Sequence, residues 1–188
     1  MIKQKIILAS QSPRRKQLLE WAEIDFETIV PDTDESYPAG LKPEEIAVHI
    51  ARNKALAVSQ DYHGDSPILA ADTIVVCDED IIGKPLNRQE AISILSKLSG
   101  RRHQVITGVC LLCRNYEISF SDVTDVTFNE LTAEQIEFYV NKYAPYDKAG
   151  AYAIQEWIGV IGINKVSGDF YNVMGLPINR VARELLRF

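Results

Sequence analysis

The sequence predicts a mixed-sheet α/β protein folded as one domain. Three observations support this. Residues 68–77 (ILAADTIVVC) form a long apolar run of strand character. Helix-start signals recur at Pro13, Pro43, Asn87 and Thr132, each opening a stretch of mixed apolar and polar residues. Strand-like and helix-like segments interleave without strict alternation, which favours a mixed sheet over a purely parallel one.

The elements are expected in the following order. Residues 5–9 (KIILA) read as a first buried strand, followed by a helix from Pro13 to about Ala22 with Ser12 as its N-cap side chain. Leu18, Leu19 and Trp21 would supply its apolar contacts. Phe26 to Val30 reads as a second strand, 31–42 as an acidic loop, and Pro43 to about Gln60 as a long helix. After the central strand 68–77 and a turn at 78–80, Asn87 with Glu90 caps a helix that ends at Gly100, a C′ glycine. Strands follow at about 103–113, 115–120 and 122–128. Thr132 with Gln135 forms a capping box for a helix to about Tyr143. Residues 151–163 and 169–174 read as extended, and a last helix starts near Pro177. With 188 residues, no repeats and no linker composition, no domain boundary is expected.

Composition narrows the function. The net charge of -6 is a poor match to a sequence-independent nucleic-acid binder, so any bound anion must meet a local basic cluster. No apolar stretch approaches the length of a membrane helix, and the opening residues lack a signal-peptide pattern, so a cytoplasmic protein is expected. Cys77, Cys110 and Cys113 lie in strand-like runs and read as buried, inert thiols. Cys110 and Cys113 have C-x-x-C spacing, but residues three apart on a strand face opposite sides. His49, His63 and His103 are too scattered for a zinc site. His103, Tyr152, Phe170 and Tyr171 read as core groups. Lys148 has two readings, a pair with Asp147 or a place in the site.

Three sets of residues break local rules. Arg14 and Arg15 occupy a first helical turn, where the partial positive charge favours acids. Either both extend into solvent, or an anion sits between the guanidinium forks and the turn Ser10-Gln11-Ser12. Lys54 falls inside the apolar stripe of the Pro43 helix, formed by Ile46, Ala47, Ile50, Ala51, Ala55, Ala57 and Val58. It either snorkels to solvent or presents its ammonium to an anion or carboxylate. Asp72 interrupts the most buried strand, where a lone carboxylate is costly. It requires an ion pair with Lys54 or Lys84, or a catalytic or metal-binding role. With Glu35 in the acidic loop and Lys84 on a Gly-Lys-Pro turn, these groups suit phosphoryl chemistry around a magnesium ion.

The pattern resembles the Maf family of nucleotide pyrophosphatases. The resemblance runs through residues 9–15 with Leu18 and Leu19, Asp34-Glu35, 51–55, 71–75 and Gly83-Lys84-Pro85. It continues through 98–101 with His103, Val105, Thr107 and Gly108, then 147–152, Gly168-Asp169 and 173–177. It implies a bilobal α/β fold with an elongated mixed sheet and a central cleft, similar to inosine triphosphate pyrophosphatases. It implies hydrolysis of a nucleoside triphosphate to the monophosphate and pyrophosphate, with a divalent cation (Mg or Mn) at Glu35 and Asp72. Asp72 matches the family's proton acceptor. Ser10, Arg15, Glu35, Lys54 and Lys84 match its polar cleft positions. Arg14, Thr73 and Gln155 are similar to the subgroup that hydrolyses dTTP and UTP, a house-cleaning role that includes modified pyrimidine nucleotides. The sequence departs from the family at Glu156-Trp157, where a glycine more often follows the glutamine. A homodimer is also implied. The rival reading is a nucleotide-binding regulator of cell division or septum formation with little turnover.

Overall fold

The computed structural model describes Ile2 and residues 4–188, and the chain is indeed a mixed α/β protein. In chain order the elements begin with β1 (Ile6–Leu8), α1 (Pro13–Trp21), β2 (Phe26–Thr28), α2 (Pro43–Asp61) and β3 (Ile68–Cys77). Then come β4 (Asp80–Ile82), α3 (Arg88–Leu98), β5 (Arg102–Cys113), β6 (Tyr116–Phe128) and α4 (Ala133–Tyr143). A 3-10 turn (Ala149–Ala151), α5 (Trp157–Gly162), β7 (Ile163–Ser167), α6 (Phe170–Met174) and α7 (Ile178–Leu185) complete it. The sheet has the order β2-β1-β3-β5-β6-β7, with β4 paired to β3. β1 runs parallel to β2 and to β3, whereas β4 is antiparallel to β3 and β7 antiparallel to β6, so the sheet is mixed.

Contacts divide the chain into two compact units. The first comprises Met1–Thr73, Thr107–Asp122 and Gly175–Phe188; the second comprises Ile74–Ile106 and Val123–Met174. The long strands β3, β5 and β6 each pass from one unit into the other, so there is no linker to find in the sequence.

In the first unit, α2 lays its apolar stripe on the sheet. Ile46, Ala47, Ile50, Ala51, Ala55 and Val58 are buried, with Ala57 at the margin. Ala51, Ala55 and Val58 join Ile7, Ala9, Ile68, Ala70, Cys110 and Leu112 in one cluster. The alanines bring the helix backbone close to the strands. At Gly108 of β5 the approach is so tight that a Cβ would lie 2.1 Å from the Ala47 carbonyl carbon. Pro43 occupies the first turn of α2, and the Glu45 carboxylate accepts from the Lys42 N–H at 2.8 Å.

The second unit shows the expected caps. Asn87 Oδ1 accepts from Glu90 N–H at 3.0 Å, and Gly100, just beyond the helix, has φ +70. Thr132 and Gln135 exchange hydrogen bonds at 3.2 and 2.9 Å. β3 turns into β4 through Asp78 and Glu79, both with positive φ, a tight turn that matches the twist of a hairpin. The interior holds Leu95, Leu98, Val126, Phe128, Ile136, Tyr139 and Val140.

Several expectations are corrected. Residues 116–128 form a single strand rather than two. Residues 157–162 and 170–174 are helical rather than extended, and only 163–167 is a strand in that region. These helices are one or two turns long, too short for a periodic signal, and tertiary contacts decide them. Trp21 is 58% exposed rather than packed, because α1 buries Leu18 and Leu19 on its other side. Phe170 and Tyr171 are exposed and stack edge-on against each other, whereas Tyr152 is a core residue as expected. Cys77 and Cys110 are buried, and burial pushes the Cys110 thiol up to about 11. Cys113 is only partly buried and donates to the Asp65 carbonyl.

Candidate active site

The helix start at α1 is built differently from its sequence signature. Ser12 stands at the N-cap but its side chain makes no cap bond. Ser10, nearly buried at the end of β1, does the organising instead. Its Oγ accepts from the Ser12 N–H at 3.1 Å and from Arg15 Nη1 at 3.2 Å. With both acceptor sites of the hydroxyl used, its own proton is left to donate outward. The first turn of α1 carries no acidic residue, so the positive helix end is not neutralised by a side chain there.

Arg15 is held by neutral acceptors alone. Nε donates to the Gly175 carbonyl at 2.8 Å, Nη1 to Ser10 and Nη2 to Thr73 Oγ1 at 3.2 Å. No carboxylate among the described residues lies within ion-pair distance of it. Burial pushes its pKa below the ordinary arginine value, and the more distant Asp72 and Glu35 charges offset this only in part. Of five guanidinium N–H groups, these three bonds engage one on each nitrogen, leaving N–H groups for an incoming anion. Arg14, beside it, is partly buried. The Thr73 hydroxyl also shares a 2.9 Å hydrogen bond with the fully buried Thr107.

The second cluster joins α2, β3 and the acidic loop. Lys54 Nζ donates to Asp72 Oδ1 at 2.7 Å and to Glu35 Oε1 at 2.8 Å. The Lys54 and Asp72 side chains are 12% and 11% exposed, against 50% for Glu35. Lys54 thus reaches carboxylates rather than solvent, and Asp72 has the ion pair that its burial demands. Among the described residues no three His, Cys, Asp or Glu side chains gather as a ready-made metal cage.

The first unit therefore brings together Ser10, Arg15 and Thr73, and likewise Glu35, Lys54 and Asp72. Lys84 and Gln155 belong to the second unit, and both are exposed. Lys84 follows Gly83, whose carbonyl accepts from the Gly150 N–H at 3.1 Å. Lys148 pairs with Asp147 at 2.7 Å and lies 3.6 Å from Glu156. His103, a core residue, shares a 2.8 Å hydrogen bond with the Tyr152 hydroxyl through Nε2, while its buried Nδ1 has no partner among the described residues.

Sequence reasoning gave no role to Thr107 or Gly175, although both lie in the recognised pattern. Their partners, Thr73 and Arg15, are 34 and 160 residues away, and no local signal reports such a contact.

A mixed α/β protein with a charged helix start, a guanidinium lacking a counter-ion, and two carboxylates on one ammonium is equipped to hold a phosphorylated anion beside a base. Residues 5–188 match the Maf-like protein family, and the chain belongs to that family. It is 53% identical over 184 residues to a dTTP/UTP pyrophosphatase of Phocaeicola vulgatus, covering 97% of this chain and 95% of that one. Proteins of the same description from Parabacteroides distasonis and Porphyromonas gingivalis are 49% identical over 187 residues and 52% over 189. Those matches cover 99% of this chain in both cases, and 97% and 95% of the relatives. Among solved structures, the Staphylococcus aureus Ham1 protein is similar at 15% identity and a TM-score of 0.44, covering 66% of this chain and 72% of that one.

Proposed function

We propose that the protein is an enzyme, a nucleoside triphosphate pyrophosphatase that hydrolyses dTTP and UTP to the nucleoside monophosphate and pyrophosphate. The observation that carries this reading is the Arg15 guanidinium, fixed by three neutral acceptors with no carboxylate beside it. A phosphate group would supply the missing charge, with the Ser10 hydroxyl and the amides opening α1 as further donors. Arg14 assists on the same turn, and to Lys84 we assign a further positive charge.

In this reading Asp72 takes a proton from water as the water oxygen bonds to the α-phosphorus. The bond from that phosphorus to the bridging oxygen breaks, and pyrophosphate leaves with the electron pair. Lys54 keeps Asp72 oriented before the attack through their 2.7 Å hydrogen bond. Two carboxylates converging on a single ammonium are the donor set a hard divalent cation uses when phosphate oxygens and water fill the rest of its shell. Glu35 and Asp72 would hold magnesium or manganese, which supplies charge neutralisation at the phosphate oxygens. Thr73 and Gln155, with Arg14, are the residues to which we assign the choice of base.

A cytoplasmic, nucleotide-pool role fits this activity, and it extends to modified pyrimidine nucleotides. Among the described residues no helix is long and apolar enough to cross a membrane. A purely regulatory nucleotide binder would have no use for a carboxylate buried at the site. Pyrophosphate release measured with magnesium over a panel of nucleoside triphosphates tests the proposal. Release confined to dTTP and UTP supports it, whereas orthophosphate as the product would move the attack to another phosphorus.

A further inference from the structure

Gln155 stands on a short turn that is braced more firmly than an exposed loop needs. Ile154 beneath it is buried, and Glu156 N–H donates to the Ala153 carbonyl at 3.1 Å to close the turn. Gly159 of α5 packs directly on the turn's backbone: a Cβ there would lie 1.8 Å from the Ile154 carbonyl oxygen. Gln155 itself is exposed, and its amide has no hydrogen-bond partner among the described residues.

The bracing is centred on Tyr139. This side chain is fully buried in α4, and its hydroxyl accepts from the Ala153 N–H at 3.2 Å while donating to Glu156 Oε2. One oxygen therefore ties both ends of the turn that presents Gln155. Glu156 is the N-cap residue of α5, yet its side chain makes no cap bond, because it turns inward to Tyr139 and towards Lys148 at 3.6 Å. Lys148 is in turn anchored on Asp147. Glu156, where the sequence departs from the family pattern, is thus turned away from solvent. It is part of a clamp.

We propose that Tyr139 and Glu156 are positioning residues that fix the turn presenting Gln155 for recognition of the pyrimidine base. The inference rests on the assignment of Gln155 to base choice. Hydrogen bonds select between bases better when the backbone carrying the donors and acceptors is held in place beforehand, since less ordering is then left to binding. The clamp fixes the turn from which the amide extends without touching the nucleotide.

The test compares the full-length protein with Tyr139→Phe, Glu156→Gly, Glu156→Gln and, as reference, Gln155→Ala. Binding of the α,β-methylene analogues of dTTP and dATP is measured by calorimetry with magnesium, beside kcat and KM for the hydrolysable nucleotides and a melting temperature. Gln155→Ala is expected to narrow the pyrimidine preference. Tyr139→Phe and Glu156→Gly should narrow it by about fivefold, the effect of losing one hydrogen bond from Gln155 to the base, mainly through KM for dTTP. Glu156→Gln keeps an acceptor for Tyr139 and should restore most of the preference. If the preference survives in both Tyr139→Phe and Glu156→Gly but collapses in Gln155→Ala, the positioning role is wrong and the role of Gln155 stands. If Gln155→Ala changes nothing, both fall. Equal weakening towards both analogues, tracking a lowered melting temperature, would mean that the clamp serves stability alone.

Discussion

Lys54 holds Asp72 at 2.7 Å from the middle of a helix stripe that is otherwise apolar. The helix contributes a cation where its pattern calls for an aliphatic side chain, and the strand contributes an anion in its most hydrophobic run. Each breach of the local pattern is the other's partner.

The pair's chemistry is separable from its folding role. Asp72→Asn should leave nucleotide binding within a few-fold of wild type and lower kcat by roughly a hundredfold or more, the usual scale for removing a general base. Rapid-quench turnover beside calorimetric binding checks this. Full activity in the variant would require a different proton acceptor.

Lys54→Met leaves a nearly buried carboxylate without its cation. Removing one member of such a pair costs about 3 kcal/mol, or several degrees in melting temperature for a chain of this size. Lys54→Met combined with Asp72→Asn should recover much of that loss. A double variant as unstable as the single one would show that the pair is not the source.

Arg15→Lys keeps the charge but cannot reach the Gly175 carbonyl, Ser10 and Thr73 together. KM should rise about tenfold or more for every nucleotide, since the phosphates are common to all. A change restricted to one base would place Arg15 at the base instead.

Gly108→Ala puts a methyl group 2.1 Å from the Ala47 carbonyl carbon, and backbone cannot yield as a side chain does. A loss of roughly 3 kcal/mol is expected in urea unfolding, at the upper end for overpacking. An unchanged midpoint would mean that α2 can lift away from β5 at little cost.

Stability should also depend on pH through His103. Burial lowers its pKa from 6.5 to about 4, so the unfolded chain takes up this proton first as pH falls. The contribution is fully present above about pH 6.5 and declines towards pH 4, by up to about 3 kcal/mol. His103→Gln should flatten that limb of a stability-against-pH curve. An identical slope in the variant would assign the acid sensitivity elsewhere.

The charged half of the site was legible because it violates local rules: Arg15 at a helix start, Lys54 in an apolar stripe and Asp72 in a buried strand each needed a partner. Which partner was harder to see. Asp72 had two lysine candidates, and only the register of α2 on the sheet chose Lys54. Ser12 carried the cap signature while Ser10 performs the organising role, since the direction of a hydroxyl in a turn is set by backbone angles, not residue type. α5 was missed because two glycines in six residues resemble extended chain, yet Gly159 is there to let the helix rest on Ile154. The long helices and central strands were read correctly because their caps and periodicity are local.

The carbonyl that Arg15 meets at Gly175 has a meaning for synthesis as well as for structure. The two residues are made 160 positions apart. Until residue 175 has been made, Arg15 lacks the carbonyl that its Nε meets. A chain cut short before Gly175 would carry nearly all of the named residues without the contact that aims the guanidinium.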